Sequence, residues 1–506
     1  MRLSGSRRSF LGAGVAGGLL TLEELGFLRR LPPVSAADME LPADAVRFSP
    51  DIEPLVQLLE ETPRGKVVET FAARVRAGTS YREVLAALLL AGVRNVQPRP
   101  SVGFKFHAVL VVNSAHLASL AASESDRWLP IFWALDYFKS SQARDVQEGD
   151  WTMAAVDESR MPPPHRARQA FQQAMDAWDE EAADAAVSAL CRSASAHEVF
   201  DLMAHYGCRD YRSIGHKAIY VANAYRTLQC IGWRYAEPVL RSLAYALLNH
   251  TGEPNPAASD LEPDRAWRVT QTAIESLGRP GTGRIDAGAT RELLDTWRTC
   301  TPQEAVDATA RMLQGGIAAQ SISDALFLSA GEMLEQQPGI ISLHSATATN
   351  ALQYAYRTAY RRRTRWELLL QNAAFIPHFR QSMQSRGRVR ETRIELDREP
   401  DEQGQPPTVE EIFRAASQDR AHAARAMRQY LEAGGQAETL IDSARRLVFV
   451  KGNDAHDYKF SSAVLEDYYA LSPQFRAPFL SNAAYLLPSP DDPDNGLVAQ
   501  IQQALA

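Results

Sequence analysis

Histidine stands second in four similar stretches of the chain: FHAVLVVNSAHL from Phe106, GHKAIYVANAYR from Gly215, LHSATATNALQY from Leu343 and AHDYKFSSAVLE from Ala455. Imidazole binds metals in its neutral form and is the commonest protein ligand for them. His107, His216, His344 and His456 are therefore candidates to hold one ion, if the fold brings them together. Three of the stretches carry an asparagine six or seven residues on, Asn113, Asn223 and Asn350, and the fourth has Ser462 there. Two turns along a helix, these amides suit either a second shell around the ligands or bridges between helices. Lys459 follows His456 as H-x-x-K, on the same helical face. A lysine buried beside a metal loses its proton readily, and the neutral amine can take up carbon dioxide to become a carbamate, an anionic oxygen ligand. Lys217, adjacent to His216, is the rival lysine. It points about 100° away from that histidine on a regular helix, so the two are not expected to share one ion.

The elements that must position these residues read as helices almost throughout. Ala, Leu, Arg, Glu and Gln dominate, all good helix formers. Ser80-Tyr81-Arg82-Glu83 and Thr408-Val409-Glu410-Glu411 are capping boxes that open apolar runs. Val109 to Val112 is the best strand candidate, although its flanks suit a buried helix equally well. After each histidine stretch a second helix opens with an aromatic beside an arginine: RWLPIFWALDYF from Arg127, WRYAEPVLRSLAYAL from Trp233, RWELLLQNAAF from Arg365 and FRAPFLSNAAYLL from Phe475. The pattern predicts an all-α fold, a closed bundle of four pseudo-repeated helical hairpins with insertions rather than a regular solenoid. Loops are predicted at 97–102, 161–164, 251–263 and 488–495, and the Arg- and Glu/Asp-rich stretch 386–407 as a solvated excursion or mobile lid.

The chain has 506 residues and a formal net charge of -7, which argues against nucleic acid as a partner. Ser6-Arg7-Arg8-Ser9-Phe10-Leu11 matches the twin-arginine export pattern, followed by a Gly/Ala/Leu stretch and small residues at 34–37. Residues 1–37 are accordingly expected to be a signal peptide, 38–506 a single helical metal-binding domain, and the protein periplasmic or secreted. The export route carries folded proteins, which suits a cofactor loaded beforehand. No later stretch is long and apolar enough to span a membrane. The four cysteines, Cys191, Cys208, Cys230 and Cys300, form no CxxC pair and read as buried thiols rather than a zinc site. Serine-elbow, P-loop, dinucleotide and H-E-x-x-H signatures are absent.

The repeat stretches, together with AEPVLRSL and DAHDYKF, resemble the questin oxidase-like family, helical enzymes of polyketide and anthraquinone oxidation, over roughly residues 103–487. The resemblance implies a mononuclear non-heme iron(II) site with four histidines and a carboxylated lysine, on His107, His216, His344, His456 and Lys459. Five such ligands leave one octahedral position open, and another transition metal is compatible with the same donors. The implied activity is an oxygenase that oxidises or ring-opens an aromatic or quinone-like small molecule with O2. Trp128, Trp133, Tyr137, Tyr220 and Phe104 are candidate lining for such a substrate. Two other readings stand beside it: a non-catalytic helical-repeat binding protein, and a zinc metallohydrolase using the same cage.

Overall fold

The structure, a computed structural model, describes residues 52–98, 104–124, 126–248, 254–256, 258–279, 283–397 and 405–499. The twin-arginine segment and its cleavage site lie outside the described residues. The described residues are helical with no strand, apart from one isolated bridge between Arg284 and Ile317. Val109 to Val112 sit inside a helix, where all four side chains are buried.

Helices α1 (Glu53–Glu61), α2 (Arg64–Arg76) and α3 (Tyr81–Asn95) lead into α4 (His107–Ala121) and α5 (Leu129–Glu148). Next come α6 (Pro164–Ala177), α7 (Glu180–Ser193), α8 (Ala196–Gly207), α9 (His216–Ile231) and α10 (Ala236–Leu247). The third stretch holds α11 (Glu262–Ile274), α12 (Ala287–Trp297), α13 (Pro302–Gln314), α14 (Ala319–Gln336), α15 (Ile340–Thr358) and α16 (Arg362–Gln384). The last holds α17 (Val409–Ala416), α18 (Arg420–Glu432), α19 (Ala437–Lys451), α20 (Ala455–Ala470) and α21 (Pro473–Asn482). Ser80 and Thr408 form reciprocal capping boxes with Glu83 and Glu411, as their spacing predicts.

Four helices form an inner ring. α4 packs on α9, α9 on α15, α15 on α20, and α20 back on α4. Each ring helix is also covered by its neighbours in the chain: α3 and α5 on α4, α8 and α10 on α9, α14 and α16 on α15, α19 and α21 on α20. A helix surrounded on all sides has no need of a polar stripe. α4 accordingly buries twelve of its residues, from His107 through Ser119.

The ring helices run parallel. Side chains a similar number of residues past each histidine meet across helix boundaries, as Asn113 does with Asn223, and Ser462 with the Ser114 carbonyl. The asparagines serve as inter-helix posts at this level. Asn223 also donates to the Leu110 carbonyl, and Asn350 donates to Glu466 and Asp467. None of the three is hydrogen bonded to a histidine ring in these bridges.

The stretch predicted as a solvated excursion is tied down over its described part, 386–397. Arg390 N–H donates to the Gln336 carbonyl, Ile394 N–H to Glu332, and the Ile394 side chain is buried. Its charged residues face outward while Val389, Ile394 and Leu396 pack inward, which composition alone does not reveal.

Candidate metal centre

All four histidines lie at the N-terminal ends of the ring helices. His107 and His216 are the first residues of α4 and α9, His456 the second of α20, and His344 the fifth of α15. Parallel helices that start at one end of a ring must bring these side chains together, and they do. Ring centroids are 5.1 Å apart for His107 and His216, 4.5 Å for His216 and His344, 5.2 Å for His344 and His456, and 4.5 Å for His456 and His107. The diagonal from His107 to His344 is longer, at 6.4 Å. The imidazoles thus form a square in chain order, and each residue is at most 7% exposed.

Gly215 makes one corner of this square possible. It takes a φ of +84°, and a Cβ there would stand 2.5 Å from the Ala348 Cβ. Only glycine allows the start of α9 to approach α15 so closely, and that approach sets His216 against His344.

The hydrogen bonds at the rims of the rings decide what the inner nitrogens can do. His216 Nδ1 is 2.8 Å from the Ser213 carbonyl oxygen, and His344 Nδ1 is 2.6 Å from that of Ile340. A carbonyl only accepts, so both Nδ1 atoms carry the hydrogen and both Nε2 atoms present lone pairs. Those two Nε2 atoms stand 3.0 Å apart, and His216 Nε2 is 3.2 Å from His107 Nε2. Two lone pairs facing each other at 3.0 Å make no hydrogen bond. They repel unless a cation lies between them. His456 Nδ1 is 2.7 Å from Asp454 Oδ1, the carboxylate–histidine arrangement that orients metal-ligating imidazoles. Burial pushes the Asp454 carboxyl up, yet the His456 ring and backbone N–H groups hold it below its ordinary value.

Two of the rings, His107 and His344, are held toward the neutral form. Burial drives the proton affinity of His107 and His344 well below the ordinary histidine value, and Lys459 and the neighbouring imidazoles push the same way. Ligand atoms of His107, His344 and His456 all lie within 4.8 Å of one another. Metal–nitrogen bonds of about 2.1 Å at right angles place adjacent nitrogens about 3.0 Å apart, against about 3.4 Å at a tetrahedral angle. The 3.0 Å edge matches the right-angled set, and the 3.2 Å edge lies midway between the two.

Lys459 is 3% exposed, and its Nζ has no hydrogen-bond partner among the described residues. Burial brings its pKa down to about 7, with Asp454 opposing the shift. A buried amine of this kind is half neutral near physiological pH, the form that reacts with carbon dioxide.

Lys217 goes elsewhere. Its Nζ pairs with Asp210 at 3.0 Å in a fully buried ion pair. Burial alone would raise the Asp210 pKa, but Lys217 and Arg209 outweigh it and hold the carboxyl below its ordinary value. The pair anchors the 208–215 loop, which carries the Ser213 carbonyl that fixes His216. Lys217 therefore supports the loop instead of offering a ligand atom.

Of the aromatic candidates, Trp133 stacks on Tyr137 at 4.9 Å and meets Tyr458 at 4.3 Å. Tyr137 feels the charge of Asp454, which puts this aromatic group beside the His456 corner. Trp128 packs on Tyr81 and Phe132, and Tyr220 packs edge-on to Phe106 while donating to Ser242. The Phe104 side chain lies outside the described residues.

Sequence reasoning overlooked Asp454 and Tyr458. Asp454 carried a signal, since an aspartate just before an apolar helical run is a strong N-cap, and it does cap α20. No disulfide joins the four cysteines. None of the described helices is long and apolar enough to cross a membrane. No family model matches the chain, and no curated protein or solved structure is similar to it.

Proposed function

We propose that this protein is an exported mononuclear non-heme iron oxygenase of the questin oxidase-like type, acting with O2 on an aromatic or quinone-like small molecule. The reading rests on one observation above all. Three of the four clustered imidazoles commit their outer nitrogens to the Ser213 carbonyl, the Ile340 carbonyl and Asp454, and the ligand atoms of His107, His344 and His456 lie within 4.8 Å of one another. His107 completes the square, and Lys459, as a carbamate, would add an anionic oxygen donor. Iron(II) held there would supply the redox chemistry that lets dioxygen react with an electron-rich ring.

The chain's own residues would do the rest. The buried square excludes water from four sides. Trp133 and Tyr137, beside the His456 corner, offer a stacking wall for a flat substrate. Lys459 supplies negative charge only when carboxylated, so metal binding and lysine modification would be linked. Zinc in a hydrolytic site is disfavoured because four imidazoles and a carbamate would nearly saturate it and leave little room for an activated water. A non-catalytic scaffold gives no reason for lone pairs to face one another.

The test is metal analysis of protein purified without an affinity tag of histidines and loaded anaerobically with iron(II). One equivalent bound to the wild type, lost in His344→Ala, supports the proposal. Less than roughly a tenth of an equivalent in the wild type would sink it, since a four-imidazole site binds first-row metals tightly at neutral pH. Oxygen consumption with candidate quinones and phenols then separates an oxygenase from a hydrolase.

A further inference from the structure

The inner ring has two ends, and they differ in chemistry. At the N-terminal end lie the histidines and the Trp133–Tyr137 stack. Three residues past each histidine stand Leu110, Ile219, Thr347 and Lys459, none more than 4% exposed. This layer plugs the ring. At six or seven residues past, Asn223, Asn350 and Ser462 are half-buried, although all three belong to helices enclosed by an outer layer. Ten residues past stand Leu117, Arg226, Tyr354 and Glu466, with Glu466 exposed and Leu117 and Tyr354 partly so.

Exposure is greater at these two levels than in the plug, although Asn113 and Arg226 stay buried, and the change along the axis marks an opening toward the C-terminal end of the ring. Arg226 and Glu466 locate it. They come from α9 and α20, which sit on opposite sides of the ring, yet Arg226 Nη1 donates to Glu466 Oε2 at 2.9 Å. Both side chains therefore reach across the axis at its mouth, with the Arg226 guanidinium 3.9 Å from the centre of the Tyr354 ring. The walls below are polar. Asn350 Nδ2 donates to Asp467 Oδ1 at 2.7 Å, while Asp467 Oδ2 and Asn113 Oδ1 find no partner among the described residues. Buried polar atoms left without protein partners are the usual sign of ordered water. The rise along a helix puts the asparagine layer about 10 Å from the histidines, with a plug one turn thick between.

We propose that the C-terminal end of the inner helix ring is a polar vestibule that supplies water and protons to the histidine site, while the organic substrate enters from the aromatic N-terminal end. The vestibule is too polar for a flat aromatic. Its plug is polar on one side only, through the Thr347 hydroxyl and the Lys459 amine on adjacent helices α15 and α20. Asp467 is the proton-holding group of the wall. Burial, and then the Glu466 charge, raise its pKa well above the ordinary carboxyl value, which favours the protonated form. Each proton consumed at the site would be replaced from bulk solvent through this face. The use of the vestibule rests on the metal-centre reading, whereas its existence does not.

Two measurements on the full chain test this. In the first, Ser462→Cys and Thr347→Cys variants are treated with a small cationic methanethiosulfonate reagent, and labelling is located by peptide mass. Labelling at position 462 at least about tenfold faster than at 347 is expected, since only the latter needs the helices to open. Asn350→Cys serves as a second vestibule position should Ser462→Cys fold poorly. Equal rates at the vestibule and plug positions would overturn the proposal. In the second, the protein is loaded with manganese(II), and the relaxation of solvent protons by the ion is measured before and after position 462 is labelled. A severalfold fall in relaxation at constant manganese content supports the route, and an unchanged value overturns it. Failure to bind manganese or iron at all refutes the metal centre instead, and the labelling rates still report on the vestibule.

Discussion

Replacing Asp454 by asparagine separates a metal centre from a merely structural histidine cluster. Asp454 Oδ1 accepts the His456 ring N–H at 2.7 Å and the His456 backbone N–H at 2.8 Å. An asparagine oxygen takes the same position, and asparagine caps helices as well as aspartate does. The metal-free protein should therefore lose less than about 1 kcal/mol. What changes is the charge. A hydrogen bond to an ionised acceptor contributes roughly 1–2 kcal/mol more than a neutral one, and loss of an outer-shell partner typically weakens metal binding about 10- to 100-fold. The Asp454 side chain is 56% exposed, so solvent screening favours the lower end, about tenfold. Competition against a metal-buffering chelator, with cobalt(II) in air and iron(II) under nitrogen, measures the affinity. Urea unfolding of the metal-free protein measures the rest. Asp457→Asn is the control, because Asp457 accepts from backbone N–H groups of Asn453 and Asp454 and leaves the ring alone. Asp454→Asn affinity within about twofold of the wild type, or an equal loss in the control, would refute the reasoning.

Lys217→Met should cost about 3–5 kcal/mol in urea unfolding, because it strands the fully buried Asp210 carboxylate, and a paired Asp210→Leu change should recover most of the loss. A single variant as stable as the wild type would show that the pair does not hold the loop. His116 gives the pH dependence. Its folded pKa is about 4 through burial, below the unfolded value of about 6.5, so on acidification the unfolded chain takes up the proton first. Its contribution should therefore be level above pH 6.5 and fall between about pH 6.5 and 4, by at most about 3 kcal/mol. His116→Gln should flatten that part of the profile, and an unchanged slope would assign it to other groups.

The parts of this fold that could be read from sequence are those set by local chemistry. The recurrence of histidine, with an amide two turns later in three of the four stretches, exposed the four ring helices, because equivalent places in a parallel ring face the same neighbours. The capping boxes at Ser80 and Thr408 were equally plain, since each is closed within four residues. The asparagines were ambiguous for a physical reason. Facing the axis and bridging to the next helix lie only a third of a turn apart, and periodicity does not resolve the two. The acceptors that turn His216 and His344 inward were hidden entirely, because the Ser213 and Ile340 carbonyls belong to the backbone and carry no residue signature. Lys217 looked like a rival ligand because its partner, Asp210, stands outside the repeated stretch. The 386–397 strap misled through its charge, because its apolar residues Val389, Ile394 and Leu396 are spread singly among polar ones.

The shared starting end of the ring helices has an electrostatic consequence. Aligned peptide dipoles place roughly half a positive charge at each helix start, so α4, α9 and α20, whose histidines are first or second residues, surround the meeting point with a field of about one and a half positive charges. Such a field discourages protonated imidazole and favours whichever oxidation state of a bound ion carries less charge. If the proposed iron binds there, it should stay ferrous, and small anions such as azide or fluoride should be drawn to the site.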